Sequence, residues 1–238
     1  VYCQVGRTSV KTLERKQWIA PQAILDDLRN ILAKEEKIDF ITFSGSGEPT
    51  LNSALGEMIG RIKDMTSTPV AVLTNGTLFH LPEVRRDVIE ANVIVPSLDA
   101  VSPDVFARLN RPHPDLTVEQ MVEGLKLLRK EFRGQLWLEV MIVKGMNDSM
   151  DELKKIAAAI QDISPDKIQI NSVFRPAAER NIEPALMETL ELAKVLNDGG
   201  CVLVPSFALG RMQELLNVIS RMQANDRIPD VPVYASGL

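Results

Sequence analysis

Five largely apolar runs, at residues 38–43, 70–73, 93–98, 136–143 and 167–173, alternate along this chain with stretches of helical period. A strand covered on both faces reads as a near-continuous apolar run, and two parallel strands need a crossover between them, usually a helix. The alternation therefore predicts an α/β fold with a parallel sheet built from βαβ units. Between the runs, Pro21 is suited to open a helix reaching about Lys34, with Ile24, Leu25, Leu28, Ile31 and Leu32 on one face. Further helices are expected near residues 54–65, 83–90 and 150–163, and one carries Val118, Met121, Val122, Leu125 and Leu128 on its apolar face.

The 238 residues suffice for one large α/β domain, or for one domain plus a fragment. A net charge of −5 argues against a broad, sequence-independent nucleic-acid surface. Two cysteines, Cys3 and Cys201, make no disulfide framework, and a reducing cytoplasm is the simplest compartment. No apolar run approaches membrane-spanning length and no signal peptide is visible, so no membrane partner is expected. The first residue is Val1, with Cys3 almost at once, and the chain is expected to begin inside a longer protein.

The first apolar run ends in Ser44-Gly45-Ser46-Gly47-Glu48-Pro49-Thr50. Gly45 and Gly47 lack a Cβ, so a ligand can approach the backbone there. Glu48 would stand at the carboxyl end of a strand, where α/β sheets keep their binding sites, and a carboxylate suits a cationic ligand group. The same residues also read as a surface turn with a solvated Glu. Other polar residues, Asn75, Ser97, Asp99, Glu139 and Asn171, gather at or within the strand ends, as they would on the rim of a barrel active site. Asp99 and Glu139 read equally as helix caps or buried hydrogen-bond partners. Cys3 on its own reads as a terminal free thiol, and His113, between two prolines, as a loop residue.

Taken together these residues resemble the radical S-adenosylmethionine (SAM) superfamily, in a branch of iron–sulfur oxidoreductases similar to wyosine-type tRNA-modifying enzymes. Val1-Tyr2-Cys3-Gln4-Val5-Gly6 looks like the tail of that family's Cys-x-x-x-Cys-x-aromatic-Cys loop, and Gly45-Ser46-Gly47-Glu48-Pro49 resembles its Gly-Gly-Glu segment. Thr74-Asn75-Gly76, Ser97-Leu98-Asp99 and Leu138-Glu139-Val140-Met141 fall where that fold places strand-end ligands, and the resemblance covers about residues 1–180. It implies a partial (β/α)6 TIM-like barrel over residues 1–185, N-terminally truncated and lacking its first strand. It also implies a [4Fe–4S] cluster and SAM as cofactors, an electron donor, and reductive cleavage of SAM to a 5′-deoxyadenosyl radical. The radical would act on an unidentified substrate, with tRNA or another RNA suggested by the nearest relatives. Cys3 would be a cluster ligand and Tyr2 an adenine contact. Gly45, Gly47, Glu48 and Pro49 would hold the methionine amino group, with Asn75, Ser97, Asp99, Glu139 and Asn171 completing the cofactor contacts. The family uses three cysteines and this chain has one in that place, so cluster binding by the chain as given is expected to fail or be marginal. A catalytically inactive fragment or binding scaffold is the alternative.

Residues 199–216, Gly199-Gly200-Cys201-Val202-Leu203-Val204-Pro205-Ser206-Phe207-Ala208-Leu209-Gly210-Arg211-Met212-Gln213-Glu214-Leu215-Leu216, resemble the β-CASP part of metallo-β-lactamase-fold RNA nucleases. They imply a fused βα(β) segment over 186–238 with a strand at 202–205 and a helix at about 211–223, and a third possible role as an RNA-processing accessory. His80 and His113 are the only histidines and neither has a metal-ligand spacing, so no hydrolase site is expected.

Overall fold

The computed structural model describes residues 1–3, 6, 8, 10–34, 37–173, 179 and 181–185, and the backbone of 202–203. In chain order the elements are α1 (Pro21–Leu32), β1 (Ile41–Phe43), a 3-10 turn (Pro49–Leu51), α2 (Leu55–Met65), β2 (Val70–Thr74), α3 (Pro82–Val88) and β3 (Val93–Pro96). They continue with α4 (Pro103–Leu109), α5 (Val118–Glu131), β4 (Gln135–Ile142), α6 (Met150–Ile163), β5 (Lys167–Ser172) and β6 (Val202–Leu203). The strands form one sheet in the order β1-β2-β3-β4-β5-β6, and every neighbouring pair is parallel. This is the α/β architecture expected from the alternation.

Each apolar run serves two faces of the pleat. Val70, Val72, Ile94, Leu136, Leu138, Val140, Ile168 and Ile170 join helix residues such as Leu25, Leu55, Ile59, Leu125 and Ile160 in one buried core. The other face follows the register Thr42↔Ala71↔Val93↔Gln135, then Trp137↔Lys167, Glu139↔Gln169 and Met141↔Asn171. Ala71, Val93 and Val95 are buried there against Trp137, in a cluster separate from the main core. No residue of a described helix belongs to that cluster.

Close packing fixes how two helices meet this sheet. A Cβ at Gly124 of α5 would lie 2.4 Å from the backbone nitrogen of His80 and 2.6 Å from the carbonyl carbon of Phe79, so only glycine lets α5 seat against the segment after β2. Glu152, at the start of α6, is 2% exposed, and its Oε1 accepts the N–H groups of Val101 at 2.7 Å and Ser102 at 3.0 Å. It thereby holds the backbone leading into α4.

Two expectations are corrected, one helix is added, and the C-terminal strand is described in part. The first strand covers only Ile41–Phe43 instead of 38–43. Its pairing begins where the Ile41 N–H reaches the Pro69 carbonyl at 2.9 Å, and Phe40 before it is 42% exposed. Pro49 opens a single 3-10 turn rather than the next helix, which begins at Leu55. The helix α4 was not expected. The C-terminal strand, expected over 202–205, runs at Val202–Leu203 as the sixth strand of this sheet, beside Ile168 and Gln169. The helix expected at 211–223 lies outside the described residues.

Candidate functional site

Glu48 stands at the carboxyl end of β1 as the residue capping the 3-10 turn. Its Oε1 accepts three hydrogen bonds, from Thr50 N–H at 3.1 Å, Thr50 Oγ1 at 2.7 Å and Thr74 Oγ1 at 2.5 Å. Its Oε2 accepts one, from Asn75 N–H at 2.7 Å. The Thr74 hydroxyl also accepts the Gly76 N–H at 3.1 Å, which commits its own proton to Glu48. Gly76 sits at φ +74°, a turn that an L side chain rarely adopts. Because a carboxylate offers about four acceptor positions, Oε1 is filled and Oε2 keeps one free for an incoming donor. Gly45 and Gly47 are exposed, and a Cβ on either would meet nothing within 4 Å. The backbone there is open, as approach by a ligand requires.

The expected residues of β3, β4 and β5 come together beside it. Glu139 Oε1 accepts the Asn171 side-chain amide, and Ser97 Oγ donates to Glu139 Oε2 at 3.4 Å. Burial pushes the Glu139 carboxyl above the ordinary range, and the nearby Asp99 charge adds to the effect. The Asn171 Oδ1 is buried with no hydrogen-bond partner among the described residues. A buried acceptor without a donor is costly, and it marks a place for a ligand hydroxyl or ammonium.

Of the readings open for Asp99, the buried hydrogen-bond partner is the one its contacts match. Asp99 is 1% exposed, and its carboxylate is committed within the protein. Oδ2 accepts the Tyr2 hydroxyl at 2.5 Å and the Asn110 amide at 2.8 Å, and Oδ1 accepts Met141 N–H at 2.9 Å. Burial holds its carboxyl above the usual range, opposed by those donors. The Tyr2 hydroxyl donates to Asp99, and burial followed by the Asp99 charge raises the phenol well above an ordinary tyrosine. Cys3 is exposed and unpaired. Asn75 contributes its N–H to Glu48, while its side chain turns to Thr77 N–H at 3.0 Å. Pro49 starts the turn behind Glu48.

Sequence reading quoted Thr50 and Thr74 within motifs without seeing that their hydroxyls orient Glu48, and missed Asn110 and Asn147, which frame Asp99. Thr50 lay in the quoted motif, two residues from Glu48, and was the one recoverable from local spacing. Cys201 lies outside the described residues. Among the described residues no group of three or more His, Cys, Asp or Glu side chains could hold a metal ion.

Residues 1–157 match the Radical SAM superfamily. The chain belongs to the radical SAM superfamily. It is 35% identical over 209 residues to a GTPase Obg from Brachyspira hyodysenteriae, covering 87% of this chain and 31% of that protein. It is 33% identical over 192 residues to a UPF0026 protein from Methanocaldococcus jannaschii, covering 80% of this chain and 60% of that one. This radical SAM chain thus spans about a third to three-fifths of these curated relatives. A probable dual-specificity RNA methyltransferase RlmN from Aquifex aeolicus is 29% identical over 208 residues, 82% of this chain and 59% of that protein. Among solved structures, Streptococcus suis SuiB bound to S-adenosylmethionine shares the fold at TM-score 0.61 and 11% identity, covering 87% of this chain and 46% of that one. Among the described residues no helix is long and apolar enough to cross a membrane.

The superfamily implies SAM and a [4Fe–4S] cluster. The residues present fit SAM: Glu48 Oε2 has room for an ammonium, the Gly45–Gly47 backbone is open, and Asn171 Oδ1 lacks a donor among the described residues. For the cluster the fit is incomplete, since the described residues offer one thiol, Cys3.

Proposed function

We propose that this chain carries the SAM-binding part of a radical SAM enzyme. The observation that carries the reading is the Glu48 carboxylate, gripped by Thr50, Thr74 and Asn75 at a strand's carboxyl end with Oε2 only half used. Glu48 takes the ammonium of the methionine moiety, and its four donors keep the carboxylate from swinging away when the ligand leaves. Gly45 and Gly47 let that moiety lie against the backbone, and Ser97, Glu139 and Asn171 receive its polar groups further along the sheet. When bound, cluster and SAM together supply reductive SAM cleavage, the chemistry the superfamily is built around. An RNA substrate is supported by the RNA methyltransferase among the relatives. We also keep residues 186–238 as a second unit of β-CASP type, supported by the run Gly199 to Leu216.

The chain's two cysteines, Cys3 and Cys201, favour a second reading, a SAM-binding scaffold without cleavage. Titration calorimetry with SAM, followed by iron and sulfide content and 5′-deoxyadenosine formation after anaerobic reconstitution, separates the two. SAM binding with cluster uptake and 5′-deoxyadenosine supports the enzyme. SAM binding without iron supports the scaffold. No binding at millimolar SAM, before or after reconstitution, overturns both.

A further inference from the structure

Asp99 is held through both its side chain and its backbone. Its carboxylate takes Tyr2 Oη at 2.5 Å, Asn110 Nδ2 at 2.8 Å and Met141 N–H at 2.9 Å. Its backbone carbonyl is also bound, by the Nδ2 of Asn147 at 2.7 Å. Asn147 is fully buried, and the same Nδ2 reaches the Met141 carbonyl at 2.7 Å while its Oδ1 accepts Val143 N–H at 2.7 Å. The end of β3, the end of β4 and the loop after α4 are thus tied at one point. Residues 1 and 2 lie there: the Val1 nitrogen donates to the Leu109 carbonyl at 3.0 Å. Val1 and Tyr2 also pack on Leu109, Val143 and Val173, with Met141, Met146 and Ile182 around them.

No regular element holds residues 1–3. Their side-chain hydrogen bond to the sheet is the Tyr2 hydroxyl, and Cys3 follows it directly, exposed. We propose that Asp99 is a positioning residue, not a cofactor contact: by accepting the Tyr2 hydroxyl it latches residues 1–3, and so Cys3, over the carboxyl ends of β3 and β4, and Asn147 holds Asp99 in place to do so. The value of this position to catalysis rests on the radical SAM reading of Cys3. The latch itself does not.

The test uses the full chain with Cys201→Ser, leaving Cys3 as the only thiol, and a nitroxide spin label on Cys3. Tyr2→Phe keeps the ring and removes only the hydroxyl. It raises the mobile fraction of the label about tenfold, the scale of one hydrogen bond to a charged group. The unfolding midpoint moves little. Asp99→Asn frees the label similarly, and the double variant frees it no more than either single change, as two ends of one contact require. A label that stays immobile in Tyr2→Phe overturns the proposal, and this variant decides alone if Asp99→Asn fails to fold. SAM titration of the unlabelled protein keeps the two readings apart. A label response in a protein that never binds SAM leaves the latch standing and removes the functional reading. SAM binding with no label response does the reverse.

Discussion

The Glu48 carboxylate accepts the backbone N–H of Asn75 at 2.7 Å, joining the loop after β1 to the loop after β2. Glu48→Gln would set an amide NH2 against that N–H, or turn it toward Thr50 and Thr74, so one donor always faces another. With the negative charge also gone, SAM affinity falls about tenfold to a hundredfold, the range for a hydrogen bond to a charged group. Calorimetry checks this, and an unchanged dissociation constant would remove Glu48 from the site.

Glu139 sets a pH dependence whose sign follows from its burial. Its folded-state carboxyl titrates above the ordinary range, chiefly through desolvation, so between the unfolded and folded values the native state holds more protons than the unfolded state. Stability contributed by this group is therefore present at low pH and lost as pH rises through the folded value. Glu139→Gln keeps an acceptor for Asn171 and cannot ionise. Its melting temperature should match that of the parent at acid pH and exceed it at neutral pH. A variant less stable than the parent at neutral pH would reverse the assignment.

Glu152 holds two backbone donors at 2% exposure. Glu152→Ala leaves both without a partner and should cost about 2 to 4 kcal/mol in urea unfolding, seen as a lower midpoint at unchanged slope. Its neighbour Asp151 makes an exposed pair with Lys155 at 2.6 Å. Asp151→Ala should leave the midpoint almost unchanged.

The alternation of apolar runs with helical stretches was enough to read the parallel sheet, because burial on both faces leaves its mark on every residue of a strand. The helix at Met150–Ile163 was read to the residue, since Ser149 caps it and its apolar spacing is regular. Glu48 was legible because glycines and a proline bracket it. Asp99 was legible as polar at a strand end but not in its role, for its partners Tyr2, Met141 and Asn147 lie 97, 42 and 48 residues away. The seven-residue helix α4 escaped notice. Part of what fixes its start is Glu152, which local sequence does not reveal.

Gly124→Ala should destabilise the fold although alanine is the better helix former by about 1 kcal/mol. The new methyl would fall 2.4 Å from backbone nitrogen, and backbone yields less readily than a side chain. A net loss of about 3 kcal/mol is expected, on the scale of overpacking a well-filled core. Thermal unfolding checks it, and a stabilised variant would mean that α5 shifts freely.

The pleat divides labour between alternate positions of each strand. Val72, Ile94 and Leu138 belong to the main core, while Thr42, Leu73, Glu139 and Gln169 lie on the other face of the sheet, beside the small cluster of Ala71, Val93 and Val95. Evolution can therefore rewrite the more exposed of these positions without reopening the problem of folding. Descendants of such a chain can diverge in what they recognise while their scaffolds stay superimposable, and a designer seeking a new specificity has the same freedom at the same positions.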